Sequence, residues 1–141
     1  MNTDMANRFN FKLPDGWQDE TVHRFTGPED SGVEHALTLV VDRSAGRAKV
    51  EDYARERIDA SMEAMQPSEI LNEGPKQLGS GVSAYEAVIK WVPVDDEIIF
   101  RKLTFVIDSG TGLMFAANFS KKTIKTIGHD VDRIIDSIVS G

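Results

Sequence analysis

Cysteine is absent from all 141 residues. That excludes disulfides, thiolate metal centres and thiol catalysis, and it suits a reducing compartment. Long apolar runs are missing too. The largest apolar clusters, LTLVV at 37–41 and the interrupted IIFRKLTFVI at 98–107, have the length of strands. A membrane-spanning helix needs roughly 18 apolar residues in a row. Positive charge is scarce, with 16 Lys+Arg against 23 Asp+Glu and a formal charge of −7. No basic stripe with interleaved aromatics offsets it, so nucleic acid and anionic membrane surfaces are not expected as partners. The opening MNTDMANRFNF has neither a basic n-region, an apolar h-region nor a lipidation cysteine. The expectation is therefore a cytoplasmic protein without direct membrane anchoring.

Without internal repeats, low-complexity tracts or a linker, residues 1–141 read as a single domain. Such a chain can bury about two-thirds of its unfolded surface, which requires no structural metal. Residues 8–13 alternate apolar and polar, and Pro14-Asp15-Gly16 supplies a turn in front of Trp17. Further strands are expected over 20–25 and 35–42. From Val50 the period changes, with Val50, Tyr53, Ala54, Ile58, Met62 and Met65 at helical steps, Glu51 and Asp52 in the first turn and Pro67 beyond the end. Residues 69–78 form an irregular strand broken at Gly74-Pro75, followed by strands over 82–92 and 97–108, a loop from Ser109 to Gly112 and a strand over 113–119. Ser120 is placed to cap a last helix carrying Ile124, Ile127, Val131, Ile134, Ile135 and Ile138. The expected class is α+β: an antiparallel sheet with its helices packed on one face and the other face open.

Leu37, Leu39 and Val41 are uniformly large and apolar, so they should meet the helices, together with Thr21, His23 and Phe25. Ala36, Thr38 and Val40 then share the opposite face with Val22 and Arg24. That face is neither a clean core nor an ordinary charged surface, and an apolar-leaning open face of this kind suits an interaction surface.

Signals for catalysis are weak. Apolar strand followed by Asp108-Ser109-Gly110 resembles the turn of aspartic proteases, but no second motif follows, and the string equally meets the needs of a hairpin. His23, His35 and His129 have no metal-ligand spacing, and Asp95-Asp96-Glu97 reads as a solvated hairpin tip. Leu78-Gly79-Ser80-Gly81 lacks the lysine of a phosphate loop. Met62, Met65 and Met114 suit core filling, and Trp17 and Trp91 suit plugs at the ends of the sheet. A non-enzymatic binding domain without a cofactor or metal is the expectation.

The order of elements and the string Phe11-x-Leu13-Pro14-Asp15-Gly16-Trp17-Gln18-Asp19 resemble the DcrB family, whose members share the PsbP-like fold. The strand ending at Phe25, Asp42-Arg43, Glu51-Asp52-Tyr53 and Arg101 extend the likeness over the chain. Within that family the chain is most similar to the Eag chaperones of type VI secretion. This resemblance implies a cytoplasmic homodimer that shields apolar N-terminal transmembrane segments of a secreted effector before export. The spike protein of the secretion machine is a further candidate partner. It also implies an effector-binding groove at Val22, Arg24, Thr38 and Val40, extended by Lys102 and Thr104 on the long strand. The family commonly has an aliphatic residue where Arg24 stands. The alternative is a domain of the same family that binds another protein or a small apolar ligand.

Overall fold

A computed structural model describes residues 14–15, 20–27, 35–43, 45–79, 81–95 and 97–137. The strand expected at 8–13, Trp17 and Ile138 lie outside these. The described elements are β1 (Glu20–Thr26), β2 (Ala36–Asp42), α1 (Val50–Ala64), β3 (Ser68–Gln77), β4 (Ser83–Trp91), β5 (Ile99–Asp108), β6 (Thr111–Phe119) and α2 (Ile127–Asp136), with a 3-10 turn at Thr123–Lys125. The six strands make one sheet in the order β1-β2-β6-β5-β4-β3, each neighbouring pair antiparallel. This is the expected α+β class.

The helices, however, do not share a face. Tyr53, Ala54 and Ile58 of α1 pack with Tyr85, Ala87 and Ile89 of β4, Leu103 and Phe105 of β5, and Ala116 of β6. Val131 and Ile135 of α2 pack with Leu37, Ala84, Val106, Phe115, Ala117 and Phe119. Successive strand residues point to opposite faces. Because Phe105 and Val106, or Phe115 and Ala116, fall in different cores, α1 and α2 cover opposite sides of the sheet. The physical reason is visible in β5, where Leu103, Thr104, Phe105 and Val106 are all buried. Unbroken burial along a strand requires cover on both faces, whereas a one-sided sheet alternates.

The first core is clamped at its β2–β6 margin. The Tyr53 ring meets Phe105 edge-on at 6.2 Å, and the Arg57 guanidinium lies over the ring, 3.8 Å from its centre. Arg57 also forms a salt bridge with the buried carboxylate of Asp42. On β6, Gly112 pairs with Asp42 and leaves room for the Tyr53 ring, since a methyl group there would overlap its Cζ and Oη.

Three local expectations shift. Gly74-Pro75 does not break β3, because β3 is bonded within the described sheet only to β4 and Pro75 can turn its missing donor outward. The irregularity of that strand is instead a bulge between Ile70 and Asn72. The β5–β6 loop is shorter than expected: Ser109 (φ 51°) and Gly110 (φ 83°) alone make the turn, and Thr111 already pairs with Asp108. Two successive positive φ values match the hairpin turn that follows the strand twist, so Asp-Ser-Gly here is turn chemistry. Ser120 caps the 3-10 turn rather than α2. Its Oγ accepts from the Thr123 backbone N–H at 3.2 Å, while its own N–H donates to Thr123 Oγ1 at 2.9 Å.

Candidate functional site

Helix α1 packs on β3, β4 and β5, and among the described residues no helix covers the β1–β2 half of its face. Cross-strand register builds that half in three rows. Val22 pairs with Val40, and Val40 with Met114; Arg24 pairs with Thr38, and Thr38 with Ala116; Ala36 sits level with Asn118, and Asn118 pairs with Arg101. Val22 is 61% exposed, Arg24 is exposed, and Ala36, Thr38 and Val40 are half-buried. The structure thus brings Val22, Arg24, Thr38 and Val40 together on one open patch.

Lys102 and Thr104 do not join them. Leu103 is the β5 residue level with Ala116, so both its neighbours point to the α2 face. Thr104 is only 1% exposed, and Lys102 Nζ donates to Asp132 Oδ1 of α2 at 2.5 Å, with Glu86 at 3.8 Å. Their placement in the groove followed from the expectation that both helices lie opposite it. Once α1 is seen to share the groove's face, the odd residues of β5 belong there. Lys102 is therefore a docking residue for α2. Lys102→Met should lower stability by about 1–3 kcal/mol, since it strands the partly buried Asp132 carboxylate and leaves Glu86 to Lys76 alone, while partner capture by the opposite face stays unchanged. Thermal unfolding and a pull-down read the two effects separately.

The residue that does extend the patch along β5 is Arg101. With Arg24, Ala36, Thr38, Ala116, Ala117 and Asn118 it lines a shallow cavity of about 230 Å³. Arg101 Nη1 donates to Asn118 Oδ1 at 3.2 Å, but its buried Nε has no acceptor, and no carboxylate among the described residues pairs with it. Burial pushes its pKa below the usual arginine range, although a guanidinium remains protonated in any case. In the string Phe-Arg-Lys-Leu nothing separates Arg101 from a solvated charge; only its parity with Leu103 and Phe105 could have placed it on this face.

A second, apolar concavity of about 110 Å³ lies on the α2 face between β1, β2 and α2, with Phe25 and Ile134 exposed at its rim. His35 at its wall is 3% exposed, and neither ring nitrogen has a hydrogen-bond partner. Among the described residues no three His, Asp or Glu side chains are disposed to hold a metal ion, and no helix is long and apolar enough to cross a membrane. What the open patch can do chemically is bind: it offers apolar area at Val22 and Val40 and hydrogen-bond donors at Thr38, Arg24 and Arg101.

A family model, DcrB, matches residues 10–137. No curated protein matches the chain. Among solved structures, PA94 of Pseudomonas aeruginosa, a protein of unknown function, superposes with a TM-score of 0.72 at 15% identity, covering 95% of this chain and 92% of that one. The cyanobacterial PsbP of Synechocystis has a TM-score of 0.55 at 10% identity over 95% and 99% of the two chains. LpqN of Mycobacterium tuberculosis, involved in cell envelope biogenesis, has a TM-score of 0.51 at 13% identity over 89% and 86%. At these identities the likeness is one of fold, and it includes the PsbP-like architecture.

Proposed function

The chain belongs to the DcrB family, and from that premise we propose that it is a chaperone and loading adaptor for a type VI secretion effector of the Eag kind. In this reading the uncovered half of the α1 face receives the apolar N-terminal helices of the effector and hides them until export. The observation that carries it is the exposed Val22, paired across the strands with Val40 on a sheet face that α1 leaves bare. A bound helix would remove this apolar area from water at about 25 cal/mol per Å², in the helix-in-groove mode. The small residues Ala36 and Ala116 in the next rows let a helix approach the sheet closely. The reading carries with it a cytoplasmic homodimer, with the secretion spike as a further candidate partner.

A small apolar ligand fits less well. The apolar concavity, at about 110 Å³, is well below the roughly 300 Å³ at which small-molecule sites begin, and the larger cavity is lined by arginines. The test is a detergent-free tagged pull-down from the native bacterium, read by mass spectrometry. One large partner should appear and vanish when its apolar N-terminal segment is deleted. Bait without prey, from cells that express their secreted toxins, would contradict the reading.

A further inference from the structure

The cavity beside the valine pair has a chemistry that apolar packing does not use. Arg101 and Arg24 stand on its two banks, on β5 and β1, three strand spacings apart, or about 14 Å. Between them lies a floor of short side chains, Ala36, Thr38 and Ala116. Two guanidiniums thus line one shallow hollow of a chain whose net charge is −7, and no carboxylate is among the described residues around it.

Arg101 gives this arrangement its direction. Partial burial of a cation is costly unless an anion or several acceptors compensate it. Here Asn118 accepts one hydrogen bond from Nη1, and the buried Nε has no acceptor. By comparison, two half-buried lysines of the sheet, Lys76 and Lys102, are each held against Glu86. Arg101 lacks that compensation while lining a cavity. A half-buried charge without an internal counter-charge at a concave surface is what a site for the opposite charge requires.

We propose that this hollow is a carboxylate-binding subsite, in which Arg101, assisted by Arg24, receives an Asp or Glu side chain of the helix held in the groove. The source of the carboxylate rests on the groove reading above; the subsite itself rests on the cavity. A planar guanidinium can meet a carboxylate through two parallel N–H donors, and Thr38 adds a hydroxyl from the floor. An otherwise apolar helix with one acidic residue would thereby be held in register, and a wholly apolar helix would leave the Arg101 Nε without an acceptor.

Three probes at about 0.15 M salt, where surface charges are screened beyond roughly 8 Å, test this. Two are Leu/Ala helical peptides with Lys-capped ends that differ only in one central Glu or Gln; the third is succinate alone. Calorimetry with the peptides should show the Glu form binding at least tenfold more tightly. In Arg101→Met that preference should fall below twofold. Succinate should saturably shift the Arg101 Nε–Hε resonance at millimolar concentration. Equal affinity of the two peptides, with no succinate shift, would overturn the subsite and leave the groove intact. If neither peptide binds but succinate shifts Arg101, the groove reading fails and the subsite stands for a free carboxylic acid. Arg101→Met should also keep or raise the thermal midpoint, because it removes a stranded buried donor. A fall of more than several degrees would assign Arg101 to the fold and overturn the proposal.

Discussion

Gly112→Ala is expected to lower stability by about 2–3 kcal/mol, or the thermal midpoint by roughly 5–10 °C. The effect is large for one methyl group because of where that methyl would go. It would overlap the Cζ and Oη of Tyr53, and the ring cannot step aside. Its edge is set against Phe105, and Arg57, itself tied to buried Asp42, lies 3.8 Å over it. Relief would therefore require α1 to lift from β6 and loosen the Asp42–Arg57 pair. Gly112 lies in an extended strand, so backbone strain is not the cause. The check is a double variant: Gly112→Ala with Tyr53→Leu should be more stable than Gly112→Ala alone, although Tyr53→Leu by itself destabilises. Thermal unfolding of the four proteins measures the coupling.

Val22→Asp should weaken effector capture by about a hundredfold, equivalent to about 2.8 kcal/mol, while leaving the fold in place. Val22 is 61% exposed, so an aspartate there stays hydrated in the free protein and costs under about 1 kcal/mol. Against an apolar helix the same carboxylate must be desolvated with no partner, which is far more costly. Val40→Asp should act in the same direction on binding with a larger cost in stability, since Val40 is half-buried. The pair separates a groove defect from a folding defect. Circular dichroism melting of each variant, alongside its pull-down, provides the comparison.

Much of the fold was legible because its signals are local. Alternation located β1, β2, β4 and β5 to within a residue or two, and the helical steps of Tyr53, Ala54 and Ile58 located α1. The division of helices between faces was not, because it depends on tertiary cover. The buried run Leu103-Thr104-Phe105-Val106 held that information, but a threonine within it reads as the polar half of an alternating strand. The misplacement of Lys102 and Thr104 followed directly, since a wrong face shifts every residue choice on β5 by one. Arg101 was invisible as a site residue for a related reason. A charge beside another charge in a strand looks like solvent-facing polarity, and only the register with Asn118 and Ala36 shows the cavity it lines. The shared face of the four residues on β1 and β2 was legible, because both strands keep one parity along their length.

Val22 is the position from which the central claim is tested most directly. The chain has no cysteine, so Val22→Cys introduces a single thiol on the open patch, and Ile134→Cys introduces one on the exposed surface of α2. Each variant would be expressed in the producing bacterium, treated with a short bifunctional thiol-to-amine crosslinker, and the products mapped by mass spectrometry. Crosslinks from Val22→Cys should fall at the margins of the apolar N-terminal helices of one large secreted protein, with none from Ile134→Cys. Equal crosslinking from both faces, or products from Val22→Cys that never include such a segment, would contradict the groove.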